Sequence, residues 1–153
     1  MPSPSTSPST STATATVKAP IEHVWSVLAD HEGMASWAPG LKVRLDQQGA
    51  EDRNGVGAVR RIEAPGPAPA IVERIVTFEP SRRLGYVALS GVPFKKYGGE
   101  VLLTPTHDGT QVSYTLRYEP RLPLVERLPV AVVTRVLLGG LVRAARRQAP
   151  SPA

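Results

Sequence analysis

Hydrophobic and polar residues alternate in seven short segments of the chain, and turn-forming residues separate most of these segments. Alternation with a period of two places every second side chain on one face of a β-strand. The predicted strands are Ala13–Lys18, Leu41–Asp46, Gly55–Glu63, Ala70–Phe78, Arg83–Ser90, Tyr97–Thr104 and Thr110–Tyr118. The run His107-Asp108-Gly109 between the last two is typical of a hairpin. Short connections between consecutive strands predict an antiparallel sheet.

Two short helical segments are predicted between the first strand and the second. Pro20 suits the first turn of a helix that continues through Val24 and Leu28. The segment Asp30–Trp37 is predicted to form a second short helix, which Pro39-Gly40 ends.

The last long segment, from Leu122 to Arg147, has the three- and four-residue spacing of a helix. One side would carry Val130, Val133, Leu137, Leu141 and Ala144, and the other side Arg135, Arg143, Arg146 and Arg147. Because an interior proline costs ~3 kcal/mol, we expect this helix to begin at Pro129, with Leu124–Leu128 as a preceding turn. The pair Gly139-Gly140 predicts either close packing or a bend.

Together these elements predict an α+β fold. The apolar face of one long helix has to be buried, and the sheet is the large surface available to it. We therefore predict a curved, seven-stranded antiparallel sheet wrapped around a long C-terminal helix, with two short helices between strands 1 and 2. A gap between that helix and the sheet would form a ligand cavity.

The composition supports one folded domain. The chain has 153 residues, and we place the domain at residues 13–147. Residues 1–12 consist of Pro, Ser and Thr after Met1 and are predicted to be a disordered tail, and residues 148–153 a flexible C-terminus. No secretory signal is recognisable, and no apolar run approaches the ~20 residues of a membrane span, so we expect a cytoplasmic protein.

The net charge of +5 is concentrated in the last helical segment. Residues 121–147 contain six arginines and one acidic residue, Glu126, and the remaining charges cancel. Arginines near a helix C-terminus complement the helix dipole and solvate its outer face. Contact between this arginine face and a membrane surface is the alternative interpretation. We expect no nucleic-acid partner, because aromatic residues make up 5% of the chain and none lies among the arginines.

Several short motifs follow one another along the chain: Val17-Lys18-Ala19-Pro20, Val24-Trp25-Ser26-Val27-Leu28, Asp30, Trp37-Ala38-Pro39-Gly40, Gly57, Arg60, Glu73-Arg74-Ile75 and Arg83-Leu84-Gly85-Tyr86. Taken in this order, they resemble the START-like (SRPBCC) superfamily, which includes polyketide cyclases and lipid-transfer proteins. They span most of residues 13–147. The resemblance implies the helix-grip fold, in which a curved sheet surrounds a C-terminal helix, but it implies no single function.

Four residues, Glu73, Tyr86, Tyr97 and Lys42, resemble pocket positions of one branch with this fold, the plant abscisic-acid receptors. They correspond to the pocket glutamate, two pocket aromatics and the pocket lysine of those receptors. The two loops that close over the ligand correspond to residues 64–70 and 90–94. Because both loops lack the receptors' motifs, the resemblance implies a pocket wall and not a hormone-receptor role.

The alternation around Glu73 leaves two orientations open. Ile71, Glu73 and Ile75 share one face of their strand. If that face looks into the cavity, Glu73 needs a partner, and it is the candidate catalytic residue because a carboxylate there can donate or accept a proton. Otherwise the opposite face is buried and Glu73 is solvated. Arg60 and Arg61 point to opposite faces, so one of them can pair with Glu73, and a ligand-binding role for Arg60 is the alternative.

These residues predict a protein that binds a hydrophobic or aromatic small molecule, either lipid-like or polyketide-like. Apolar contacts would come from Val133, Leu137 and Leu141, while the polar groups of the ligand would meet Lys42, Arg60, Glu73, Tyr86 and Tyr97. The alternative is a cofactor-independent polyketide cyclase or dehydratase that moves a proton with Glu73 or a tyrosine. We expect no cofactor, and no metal site, because the consecutive residues Asp30-His31-Glu32 cannot easily converge on one ion.

Overall fold

The computed structural model describes residues 8–38, 40–93, 95–120 and 123–147, with side chains described from residue 129 onward in the last range. The strands are β1 Ser9–Val17, β2 Lys42–Gln47, β3 Val59–Glu63, β4 Ile71–Glu79, β5 Arg83–Ser90, β6 Lys95–Pro105 and β7 Thr110–Glu119. The helices are α1 Ile21–Ala29, a 3-10 helix Glu32–Ser36 and α2 Pro123–Arg147.

The strands form one antiparallel sheet in the order β1-β7-β6-β5-β4-β3-β2. Residues 106–109 turn β6 into β7, with the Thr106 amide donating to the Gly109 carbonyl at 2.9 Å. Register shifts interrupt β2, β4 and β6, and such bulges bend and twist a sheet. The predicted α+β helix-grip architecture is confirmed.

The first strand begins four residues earlier than predicted. It pairs with β7 from Ser9 opposite Tyr118 to Val17 opposite Thr110. Residues 9–12 therefore belong to the sheet and not to a disordered tail, because β7 offers a pairing edge that local composition does not reveal. Residues 1–7 and 148–153 lie outside the described residues.

The third strand is shorter than predicted. It begins at Val59, and Gly55–Ala58 form a turn instead of extended strand. Gly57 adopts a φ of +91°, which glycine accommodates readily, and its amide donates to the Ile75 carbonyl at 2.9 Å. The alternation of hydrophobic residues in this segment thus continues into a turn.

Helix α2 contains Pro129, so the prediction that the helix begins at that residue is wrong. Val130, directly after the proline, is buried, and α2 packs against β1, β7 and α1. This tertiary packing outweighs the local cost of the proline. Thr134 is also buried, and its hydroxyl donates to the Val130 carbonyl at 2.8 Å.

The two faces of α2 are less distinct than predicted. Val130, Leu141 and Ala144 are buried as expected, but Val133 is 45% exposed and Val136, outside the predicted face, is 61% exposed. The predicted arginine side is exposed at Arg135, Arg143, Arg146 and Arg147. No helix in the described ranges is long and apolar enough to cross a membrane.

The glycine pair of α2 marks a close approach between this helix and the 3-10 helix region. A Cβ atom on Gly140 would collide with the carbonyl oxygen of Trp37, whereas a Cβ atom on Gly139 would meet nothing within 4 Å. The prediction of close packing is therefore confirmed at Gly140 alone.

We expect Gly140→Ala and Gly139→Ala to change stability in opposite directions. The first forces α2 away from Trp37 and should lower the free energy of unfolding by about 1–3 kcal/mol. The second adds a better helix former in open space and should raise it by up to about 1 kcal/mol. Urea unfolding of both variants measures the difference, and equal effects would contradict the close approach.

Candidate ligand-binding cavity

A cavity lies between α2 and the concave face of the sheet. Since α2 packs against β1, β7 and α1, space remains over β3 and β4. The cavity has a volume of about 250 Å³ and is lined by Met34, Leu41, Arg60, Ile62, Ala64, Ala68, Pro69, Ile71, Glu73, Tyr86, Gly91, Tyr97, Val133 and Leu137. A neighbouring cavity of about 190 Å³ shares Ile71, Tyr97 and Val133 with it.

The inward faces of β3 and β4 bring a cation and an anion together. On β4, Glu73 and Ile75 are buried, whereas Arg74 and Val76 are exposed. On β3, Arg60 is the direct cross-strand neighbour of Glu73. Of the two orientations left open by the sequence, the one with Glu73 facing inward is therefore observed.

Arg60 and Glu73 form a buried ion pair. Nε and Nη2 of Arg60 each lie 2.7 Å from Oε2 of Glu73, and both side chains are 5% exposed. Burial is the largest single effect on Arg60 and lowers its pKa, but Glu73, Tyr86 and Tyr114 together exceed it and raise the pKa of Arg60. Arg60 thus keeps its charge inside the protein because Glu73 compensates it.

Two tyrosines extend the polar surface around this pair. The guanidinium carbon of Arg60 lies 4.6 Å from the centre of the Tyr86 ring, a cation–π contact. The hydroxyls of Tyr86 and Tyr114 lie 2.9 Å apart. Desolvation raises the pKa of Tyr86 well above its ordinary value and that of Tyr114 to about 12. Both phenols are therefore protonated near neutral pH and can donate hydrogen bonds.

The position of the Tyr86 ring depends on a glycine in the neighbouring strand. Gly99 on β6 is the cross-strand partner of Tyr86. A Cβ atom at Gly99 would overlap the Tyr86 ring, so the absence of a side chain lets the ring lie against the strand. Arg60 then rests on the ring.

His31 provides the third contact of Arg60. Its Nδ1 lies 3.3 Å from Nη1 of Arg60, and its Nε2 lies 2.8 Å from the Asn54 carbonyl oxygen. Since Arg60 can only donate and a carbonyl can only accept, His31 is neutral with its proton on Nε2. Desolvation, together with the charge of Arg60, lowers the pKa of His31 to about 4.

The structure brings together most of the residues predicted for the site. Arg60, Glu73, Tyr86, Tyr97, Val133 and Leu137 all line the cavity. Two predicted residues are elsewhere. Lys42 is exposed on the outer face of β2, and Leu141 is fully buried in the core. Whether the lining residues bind a ligand stays a prediction.

Sequence reasoning assigned no role at the site to His31. Tyr114, in contrast, belongs to the tyrosines that the sequence places on an apolar wall, because Val112, Tyr114 and Leu116 alternate along β7, and all three are buried. His31 lies at the start of a 3-10 helix, where no periodic pattern indicates which way a side chain points.

Two loops complete the wall at the positions that the resemblance implied. Ala64, Ala68 and Pro69 come from the loop before β4, and Gly91 comes from the loop after β5. Gly91 has a φ of +90°, and a Cβ atom there would collide with the Ala70 carbonyl. The two loops therefore touch. Phe94 lies outside the described residues.

A curved antiparallel sheet that encloses a cavity together with a C-terminal helix defines the START-like helix-grip class. The Zhui aromatase/cyclase from Streptomyces sp. R1128 superposes with a TM-score of 0.76 at 24% identity, over 95% of this chain and 98% of that one. A START superfamily protein from Mycobacterium smegmatis gives a TM-score of 0.75 at 18% identity, over 90% and 97%. These similarities show a shared fold.

The chain belongs to the family described as polyketide cyclase / dehydrase and lipid transport, whose model matches residues 9–148. No curated protein matches the sequence. Family membership supports a ligand-binding or cyclase function in general terms.

We expect His31 to make the folded protein less stable as the pH falls from about 6.5 to about 4. Between these values the unfolded chain binds a proton at His31 and the folded chain does not, so stability is complete above pH 6.5 and decreases below it. The loss attributable to His31 should be about 3 kcal/mol.

Urea unfolding at a series of pH values tests this contribution. His31→Gln retains one acceptor and one donor but cannot titrate, so its stability should depend less on pH than that of the wild type. His107→Gln, at an exposed histidine in the β6–β7 turn, is the matched control and should retain the wild-type dependence. An unchanged slope for His31→Gln would contradict the assignment of a neutral buried imidazole.

Proposed function

We propose that the protein binds a hydrophobic or aromatic small molecule, lipid-like or polyketide-like, in the cavity between α2 and the sheet. The ligand's apolar body contacts Ile62, Ile71 and Leu137, and its polar group faces Arg60 and Glu73. The observation that carries this proposal is a buried ion pair in the wall of an otherwise largely apolar cavity.

The dimensions of the cavity support a small ligand. Pockets for small molecules usually have volumes of about 300–1,000 Å³. The cavities of about 250 and 190 Å³ are each below that range. Because they share Ile71, Tyr97 and Val133 in their walls, a ligand that displaces these side chains slightly gains access to both. One or two fused rings, or a short acyl chain, suit this space.

The N–H groups of Arg60 support an orientation in which the polar end of the ligand faces this side chain. A guanidinium has five N–H groups, and Arg60 directs three of them to Glu73 and His31. The remaining N–H groups suit a carbonyl or hydroxyl oxygen. An oriented polar contact of this kind, combined with apolar walls, is the usual design of a small-molecule site.

Filling the space beside Val133 should weaken ligand binding. Val133 lines both cavities, and a Val133→Trp side chain would occupy space that the ligand needs. We expect the affinity for 2-naphthol, a neutral aromatic alcohol that serves as a probe, to fall at least about tenfold, equivalent to ~1.4 kcal/mol. Isothermal titration calorimetry measures the change.

Val136→Trp is the matched control for this experiment. Val136 lies on the same helix and is 61% exposed, and it is not part of either cavity wall. Its replacement should leave the affinity for 2-naphthol unchanged. Equal affinities of both variants and the wild type would place the ligand outside the cavity.

A cofactor-independent cyclase or dehydratase is the second candidate, favoured by the adjacent carboxylate and guanidinium. In such an enzyme, Glu73 takes a proton from the carbon next to a ketone, and the electron pair of the broken C–H bond moves to the carbonyl oxygen. Arg60 stabilises the resulting enolate. The enolate carbon then attacks a second carbonyl of the same folded chain, and the π electron pair of that carbonyl moves to its oxygen, which takes the proton back from Glu73.

Deuterium exchange separates the two candidates. For an enzyme, the protein in D₂O should accelerate exchange of the methyl protons of acetophenone at least about tenfold over buffer, because proton transfer to a positioned base contributes about 10²–10⁴-fold. Excess 2-naphthol should suppress this acceleration by occupying the cavity. For a binding protein, NMR spectra should show exchange at the buffer rate.

A further inference from the structure

The charges in the cavity wall cancel each other, and this balance restricts the charge that a ligand can carry. Among the described residues that line the two cavities, Arg60 and Glu73 carry the only formal charges. One is a cation and the other an anion, and they contact each other at 2.7 Å. The part of the wall that the structure describes thus offers hydrogen-bonding groups but no charge that lacks a counter-ion.

The groups behind the wall do not alter this balance. His31 contacts Arg60 and is neutral, because its Nδ1 accepts from Arg60 while its Nε2 donates to the Asn54 carbonyl. Tyr86, which is itself part of the wall, and Tyr114 behind it contribute neutral hydroxyls. Glu73 has Arg60 on the neighbouring strand, while Arg74, next to Glu73 in sequence, points to the outer face.

A charged ligand would therefore enter at a cost that a neutral ligand avoids. A carboxylate next to Arg60 has to compete with Glu73 for the guanidinium, and it brings a second anion close to the first. An ammonium group next to Glu73 is opposed in the same way by Arg60. In either case the ligand loses its hydration without gaining an uncompensated counter-ion.

We propose that the cavity selects neutral ligands whose polar end is a phenol, enol, alcohol or ketone, and that the Arg60–Glu73 pair sets this selectivity by excluding carboxylates and ammonium ions. A hydroxyl meets both partners, because it donates to the carboxylate and accepts from the guanidinium. A ketone accepts from Arg60 alone. This inference rests on the proposed function and specifies the ligand class of the same site.

Four naphthalene derivatives of similar size test the selectivity at pH 7. They are 2-naphthol and naphthalene, which are neutral, 2-naphthoate, which is an anion, and 2-naphthylmethylammonium, which is a cation. We expect the wild-type protein to bind 2-naphthol at least about tenfold tighter than either ion. Naphthalene should bind more weakly than 2-naphthol because it forms no hydrogen bonds.

Glu73→Gln tests whether the ion pair is responsible. This variant keeps the shape of the side chain but leaves Arg60 without its counter-ion, so the preference should reverse and 2-naphthoate should bind at least about tenfold tighter than 2-naphthol. 2-Naphthoate should also raise the melting temperature of this variant more than 2-naphthol does. If the variant does not fold, the order of affinities of the four compounds for the wild-type protein tests the selectivity for neutral ligands.

The possible results separate the inference from the proposed function. Wild-type binding of 2-naphthoate that equals or exceeds that of 2-naphthol would overturn the selectivity and leave the cavity as a binding site. A Glu73→Gln variant that folds but still prefers 2-naphthol would show that the ion pair does not set the selectivity. Failure of all four compounds to bind would reject the proposed function itself.

Discussion

The ion pair between Arg60 and Glu73 is the interaction on which the cavity wall depends. Removing either charge from water without its partner would cost several kcal/mol, and both side chains are 5% exposed. The antiparallel register places them directly opposite each other, so the backbone pairing of β3 with β4 also positions the ion pair. Tyr86 and His31 then complete the surroundings of the guanidinium without adding charge.

The orientation of α2 determines where the protein is densely packed and where it is hollow. Near its C-terminal end, the absence of a side chain at Gly140 lets the helix touch Trp37. Nearer its start, Val133 and Leu137 border the cavity. One end of the helix therefore completes the core, while the other forms a wall of the cavity. A straight helix cannot follow the curvature of the sheet. The same position of α2 therefore produces both the close contact at Gly140 and the cavity beside Val133 and Leu137.

Much of this arrangement could be predicted from the sequence, because alternation reports which side chains share a strand face. Alternation left the orientation of Glu73 open, however, and it was the resemblance to the START-like superfamily and its receptor branch that brought Arg60, Glu73, Tyr86 and Tyr97 into consideration. Helical spacing, in contrast, gives the direction of a side chain but not the distance between the helix and the sheet, so Leu141 was assigned to the cavity although it lies in the core. Local preferences also failed at Pro129, since packing of α2 overrides the cost of an interior proline.

The titration of the cavity residues bears on the choice between binding and catalysis. General acid–base catalysis is most efficient when the pKa of the catalytic group lies near the working pH. Burial moves the pKa values of the groups around Arg60 away from neutral pH. It lowers the pKa of His31 to about 4 and raises the pKa values of Tyr86, Tyr97 and Tyr114. Proton transfer would then depend on Glu73, whose Oε2 is held by two N–H groups of Arg60. These shifts, together with the compensated ion pair, favour the proposed binding function over the proposed cyclase alternative.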